Sequence, residues 1–325
     1  MRVSPVIACI AGIAMLSATQ NVCDAQPYPT GPVRLLVGGA PGSVPDVMIR
    51  PIAERLAVRL GHPVLVDNRP GAAGAIAMSN LVSSPPDGHT LALATMSQAV
   101  FNRYLFQKLP YDPLRDLQPV SLLVTGAMAI AAHPSFPADS LQDLIQVAKA
   151  RPGKLFMAMP QNGSPPHVIA LLLARAASID VTLVPHKSGT EALSAVVSNQ
   201  IPLLIDAPTL FSSQVAEGKL KALVVTGRER EPALPSVPTA VESGLAQMQG
   251  EAWIGLVAPA GTPSHVIQRL NRELNEILSS PETESALRRL SFRKLQGTPE
   301  AFSDLIRAEH DKWGVVIREA GLRLD

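Results

Sequence analysis

Short apolar runs rich in β-branched residues alternate along this chain with longer segments whose apolar positions recur at helical spacing. The pattern predicts strands at 33–37, 64–67, 90–95, 120–124, 155–159, 181–184, 203–206, 220–225 and 253–258. It predicts helices at 46–60, 75–82, 141–150, 167–177, 190–197, 211–217, 263–278, 282–290 and 299–320. The clearest is 263–278, where Val266, Leu270, Leu274 and Leu278 recur every four residues beside Ile267 and Ile277. Pro263 suits an early helical position, and Ser279-Ser-Pro281 ends the run. Strands alternating with helices predict an α/β fold with mainly parallel sheets covered by helices. No internal repeat and no Gly/Ser or Pro/Ser linker is visible. Break points fall after strands, near 123–126 and 226–228.

Composition adds a compartment. Arg2 gives a short basic start, and 6–18 is an apolar core of signal-peptide length, too short to span a bilayer. Cys23-Asp-Ala25 ends in a small residue, so 1–25 reads as an export signal cleaved near Ala25, which predicts a periplasmic protein. Lipid anchoring at Cys23 would need a Leu-x-x-Cys-like run, whereas Gln20-Asn-Val precedes it. The only cysteines are Cys9 and Cys23, so the mature chain would carry no disulfide, zinc-thiolate site or thiol nucleophile. Charge is nearly balanced, 28 basic against 27 acidic residues, which argues for neither nucleic acid nor a polybasic membrane patch. Catalytic signatures are missing: the chain has no Gly-x-Ser-x-Gly, no His-Glu-x-x-His, no phosphate-loop Gly-Lys-[Ser/Thr] and no Gly-x-Gly-x-x-Gly. The composition therefore points away from an enzyme, and no cofactor is implied.

Two glycine-rich phrases carry the candidate chemistry. Arg34-Leu-Leu-Val-Gly-Gly-Ala-Pro-Gly-Ser-Val-Pro-Asp46 reads as a strand, a turn and a helix start. Val64-Leu-Val-Asp-Asn-Arg-Pro-Gly-Ala-Ala-Gly74 reads as a strand running into a second helix start. Helix N-termini present unpaired N–H groups and the positive end of a dipole, which suit small anions.

Together these phrases resemble the opening of the tripartite tricarboxylate transporter receptors, also called Bug proteins. Further phrases follow in the family's order: Ser84-Pro-Pro-Asp-Gly-His-Thr-Leu91, Leu109-Pro-Tyr-Asp-Pro-Leu-Arg-Asp-Leu-Gln-Pro-Val120 and Asn162-Gly-Ser-Pro-Pro-His167. Pro185-His-Lys-Ser-Gly189, a Leu234-Pro-Ser-Val-Pro phrase and Trp253-Ile-Gly-Leu-Val-Ala-Pro-Ala-Gly-Thr-Pro263 complete the series. The resemblance implies a type II periplasmic binding fold with two Rossmann-like lobes joined by hinge strands. On that reading 26–124 and 227–325 form lobe 1, 125–226 forms lobe 2, and a ligand cleft lies between them. It implies a non-catalytic, monomeric receptor that captures a small organic acid. The receptor would deliver the acid to the membrane subunits of a tripartite transporter, or present it to a two-component sensor kinase.

The resemblance also nominates a site. Gly42 and Asp46 match the family's first loop, while Ser43, Val44 and Pro45 replace Gly-Gly-Thr and Gly39 stands where the family has Phe. Asp46 could equally be a helix cap or first-turn acid, and Pro51 implies a late or bent helix start. Thr95 and Ser97 end a first-lobe strand. Asn162, Gly163 and Ser164 would offer donors in the second lobe, although Ser164 before Pro165 also fits a plain N-cap. His167 reads either as a ligand contact or as a structural hydrogen-bonding group. Lys187 would add positive field or be a solvated lysine, and Gly189 follows it at a helix start. Asp206 ends an apolar strand, where side chains commonly face a cleft or simply cap the next turn, and the resemblance implies a place near the ligand. These replacements predict a ligand whose shape differs from the family's commoner acids.

Overall fold

The structure, a computed structural model, describes residues 28–324; the expected export segment 1–25 lies outside the described residues. The chain opens with β1 (Val33–Val37), α1 (Val44–Leu60), β2 (Val64–Asn68), α2 (Ala75–Val82) and β3 (Thr90–Thr95). A π-helical turn at Ser97–Phe101 runs into α3 (Asn102–Leu105) and then β4 (Leu117–Ala127). Next come β5 (Ala129–Ala132), α4 (Leu141–Ala150), β6 (Leu155–Met159), α5 (Pro165–Ala177) and β7 (Val181–Pro185). They are followed by α6 (Gly189–Val197), β8 (Leu203–Asp206), α7 (Ser212–Ala216) and β9 (Lys221–Val225). The chain closes with β10 (Glu251–Pro259), α8 (Ser264–Ser279), α9 (Pro281–Arg288), β11 (Arg293–Lys294) and α10 (Pro299–Glu319).

Two sheets organise two lobes. The first has the order β11-β4-β10-β3-β1-β2 and the second β7-β6-β8-β5-β9. Both are mixed: the β1, β2, β3 and β6, β7, β8 groups pair in parallel, as the alternation predicts. The remaining pairs are antiparallel. These centre on β10 in the first sheet and β5 in the second, each of which runs against the direction of its sheet's βα units. The family-like two-lobed α/β architecture therefore stands, with fewer parallel pairs than expected.

The waist is a hydrogen-bonded knot around Thr226, a fully buried residue. Its Oγ1 accepts from Met128 N (3.0 Å) and donates to Gly250 O (2.6 Å). Its N–H donates to Met128 O (2.8 Å), and Gly250 N donates to its carbonyl (3.0 Å). The expected return to lobe 1 at 227 is corrected here. Leu234 and Val237 bury in the second lobe's core with Leu204 and Phe211. Ala240 N bonds Val225 O, and Gln142 reaches Ser243 O. Residues 234–245 therefore stay with the second lobe because their apolar side chains have their burial there, while Arg228 N–H donates to Glu251 Oε1 and the chain rejoins the first sheet at Glu251.

Helix α1 begins at Val44, two residues before the expected start, and continues past Pro51 to Leu60. Pro51 lies on its exposed side, so the carbonyl left without a donor can be met by water. Helix α8 buries Val266, Ile267, Leu270, Leu274, Ile277 and Leu278, as its spacing predicts. Each such side chain contributes about 1.5–3 kcal/mol on burial. One apolar core is continuous through both lobes, joining Leu36 and Phe101 to Met157 and Leu173 through Trp313 and Ile317 of α10.

Candidate functional site

The parallel strands of both sheets end in loops that form the candidate cleft, as expected for α/β sheets. Two of these loops have the same construction. Gly42-Ser43-Val44-Pro45-Asp46 precedes and opens α1, and Gly163-Ser164-Pro165-Pro166-His167 does the same for α5. In each, a glycine at positive φ (79° and 75°) is followed by a serine N-cap in extended backbone. Proline occupies the first turn, where its missing donor costs nothing. The side chain four residues after the glycine reaches back to that glycine's N–H: Asp46 Oδ2 accepts from Gly42 (2.8 Å) and His167 Nδ1 from Gly163 (3.1 Å).

What sets these two caps apart is an unused hydroxyl. Ser140, Ser188, Ser280 and Thr298 each cap their helices by accepting a backbone N–H. Ser43 and Ser164 make no cap bond, and both Oγ atoms are buried without a partner. A buried hydroxyl without a hydrogen bond costs about 1–3 kcal/mol, and both loops carry this cost at matching positions. Ser164 occupies the N-cap position with Pro165 after it, as the sequence suggests, but its side chain makes no cap bond.

Asp46 and His167 are positioning groups. The Asp46 carboxylate is buried and also receives Arg50 Nε (3.1 Å), Arg50 Nη2 (2.8 Å) and Asn68 Nδ2 (3.0 Å). Burial opposes its charge, but the bonds from Arg50, Gly42 and Asn68 outweigh this and hold it below the usual carboxylate range. His167 is buried, and desolvation pushes its imidazole down to about 4. It is therefore neutral, with Nδ1 as the acceptor.

The other nominated residues divide. Thr95 N–H and Oγ1 both donate to Gln98 Oε1, and Thr95 Oγ1 accepts from Ser97 N (3.2 Å). Ser97 Oγ bonds Gly163 O (2.9 Å), tying the β3 loop to the β6 loop. Asn162 is exposed. Lys187 lies one loop further on: its carbonyl accepts from Gln161 Nε2 (3.1 Å) and its N–H donates to Glu191 Oε2 (2.9 Å). Ser188 Oγ also accepts from Glu191 N, so α6 offers fewer free donors at its start than α1 and α5. The Lys187 ammonium makes no ion pair among the described residues. Asp206 Oδ1 accepts from Ala207 N (2.7 Å), while Oδ2 has no partner and presses on Gly189, where any Cβ would collide. Burial raises this carboxyl to about 6, against the pull of the Ala207 N–H.

One segment absent from the nominated residues is the turn after β2. Gly71, Ala72, Ala73 and Gly74 all have positive φ, at 124°, 46°, 49° and 82°. The Ala73 carbonyl is gripped by Gln98 Nε2 (3.1 Å) and Asn102 Nδ2 (3.2 Å). Gly74 packs so closely on Gln98 that a side chain there would clash, and a Cβ at Gly38 would meet Gly74 Cα at 2.8 Å. Gly71 and Gly74 bracketing the alanines were the available signal. Left-handed backbone at alanine costs about 1–2 kcal/mol. Ala73→Gly is therefore expected to stabilise the fold by about 0.5–1 kcal/mol, net of glycine's entropy. A rise in melting temperature would register the gain; a fall would mean the Ala73 methyl packs productively.

No group of three or more His, Cys, Asp or Glu placed to hold a metal occurs among the described residues, and no helix there is long and apolar enough to cross a membrane.

Comparison with known proteins agrees with the loop phrases. The model of the tripartite tricarboxylate transporter family receptor matches residues 48–322. A protein from the tcbD-tcbE intergenic region of Pseudomonas sp. strain P51 is 33% identical over 319 residues, covering 95% of this chain and 93% of the relative. Protein BugT of Bordetella pertussis is 31% identical, covering 97% of this chain and 98% of BugT. Among solved structures, Rpa4515 of R. palustris with adipate superposes with TM-score 0.81 at 30% identity, over 91% of this chain and all of that one. MatC of Rhodopseudomonas palustris with bound malate superposes with TM-score 0.78 at 32% identity, over 89% and 100%. The chain thus belongs to the tripartite tricarboxylate transporter receptor family, and is a solute-binding protein rather than an enzyme.

Proposed function

We propose that this protein is a periplasmic receptor that captures a small carboxylate between its lobes and delivers it to a tripartite tricarboxylate-type membrane transporter. The observation that carries the reading is the pair of open serine caps, Ser43 on α1 and Ser164 on α5. A carboxylate oxygen is the partner such a hydroxyl and the neighbouring helix N-terminus favour. Structural neighbours with adipate and malate support an acid as the ligand. In this reading the binding groups are Gly42, Ser43, Thr95, Ser97, Asn162, Gly163, Ser164, Lys187 and Gly189. Asp46 and His167 hold the loops, and Asp206 lines the second-lobe wall.

The test is a thermal-shift screen of mono-, di- and tricarboxylates on protein unfolded and refolded to strip bound solute. A true ligand at a hundredfold excess over its Kd stabilises by about 2.7 kcal/mol. Ser43→Ala and Ser164→Ala should each weaken that ligand about tenfold or more, the value of a hydrogen bond to a charged group. No shift with any acid, from folded protein, would sink the carboxylate reading. Loss of uptake of the same acid in cells lacking the gene would test delivery.

A further inference from the structure

We propose that Ser97 and the segment 321–324 form a clasp that holds the two lobes together before ligand arrives, with Gly163 as its catch. Gly163 belongs to the second lobe's β6 loop, yet first-lobe groups surround it. Its carbonyl accepts from Ser97 Oγ (2.9 Å), a buried bond between residues 66 positions apart. Leu105 Cδ1 and Leu324 Cδ1 each stand 2.9 Å from where a Cβ at this position would be, so both side chains pack directly on Gly163, whose φ of 75° favours glycine. Leu324 is itself fastened to the first lobe, its N–H donating to Leu105 O (2.9 Å).

The segment is aimed by α10. His310 Nε2 bonds Ala99 O (2.9 Å), and Tyr104 OH bonds both His310 Nδ1 (3.1 Å) and its carbonyl (3.2 Å). The Arg318 guanidinium lies 5.2 Å from the centre of the Tyr104 ring. These contacts anchor α10 on the π-helical turn that carries Ser97. On its other side α10 meets the second lobe, where Glu319 pairs with Arg175 (2.9 Å). The lobes therefore cannot part at the cleft without breaking the Gly163 contacts. Because Ser164 follows directly, releasing the catch and moving the open cap of α5 are one event. A closed state held this way stays populated without ligand, at the expense of the open state that admits it.

The clasp is read in ligand-free protein, so its outcome is independent of which solute the cleft takes. Small-angle scattering of refolded, unliganded wild type should match the radius of gyration of the closed structure. Ser97→Ala and Leu324→Ala should each shift it upward with circular dichroism unchanged. Leu324→Ala lies at a surface segment and preserves the test where Ser97→Ala folds poorly. Amide exchange gives a second reading: Leu324 N–H should exchange faster in Ser97→Ala, although Ser97 does not touch that amide. An expanded unliganded wild type, or variants with wild-type radius and unchanged Leu324 exchange, would overturn the proposal.

Discussion

Replacing Asp46 with alanine is expected to destabilise the fold by about 2–3 kcal/mol, the cost of leaving buried polar partners unmet. The partners at stake are Gly42 N–H and Asn68 Nδ2, both inside the first loop. Arg50 contributes little to the loss, because its guanidinium is half-exposed and water can replace its partner. The Asp46 carboxyl titrates below its unfolded value, so its contribution is present above the ordinary carboxylate range. That contribution fades as pH falls through the lower folded-state value. Urea unfolding at pH 7 would show a lower midpoint with an unchanged slope. Ligand affinity should drop as well, since the loop that carries Ser43 loses its tie at Gly42. An Asp46→Ala protein within about 0.5 kcal/mol of wild type, the range of an ordinary surface change, would show that the loop holds itself without the carboxylate.

Acid should act earlier on the second lobe, and through the opposite charge. His167 is neutral when folded, with its titration pushed from 6.5 down to about 4. Between those values the unfolded chain binds a proton that the folded chain refuses, so stability rises with pH across that window. The full effect is about 3 kcal/mol, gained by pH 6.5 and above and lost on approaching pH 4. Protonation at Nδ1 also removes the acceptor for Gly163 N–H and frees the loop that bears Ser164. His167→Asn, which keeps an acceptor but does not titrate, should remove this rise and lower the slope of the stability profile between pH 4 and 6.5, where the raised Asp206 carboxyl acts in the opposite direction. The fall below pH 4, to which Asp46, Asp112, Asp116 and Asp143 contribute, should remain. Equal slopes for wild type and variant between pH 4.5 and 6.5 would refute this assignment.

The twin loops also explain why related phrases in the sequence carry unequal meaning. Ser164-Pro-Pro and Ser188-Gly-Thr-Glu191 both read as ordinary helix starts. Ser188 is one, because its hydroxyl accepts from Glu191 N. Ser164 has His167 at the equivalent place, and the imidazole bonds the residue before the cap, as Glu191 does, yet the serine hydroxyl accepts no backbone N–H. Local spacing names the candidates; whether the hydroxyl reaches a backbone N–H is decided only in the folded structure.

By itself the sequence determined most of the elements and the family, missing the short α3, β5 and β11. Apolar periodicity located the α8 stripe and the parallel strands of both sheets, because burial of one face is a local, repeating demand. The ordered loop phrases identified the receptor family, since their glycines and prolines encode backbone shapes residue by residue. The tertiary structure alone decided the waist at Thr226 and the attachment of 234–245 to the second lobe. It alone decided the four-residue left-handed turn gripped by Gln98 and Asn102, and the hold of Leu324 on Gly163. Each of these joins residues far apart in the chain, and their pairing is set by which surfaces are left to bury once the local elements have formed.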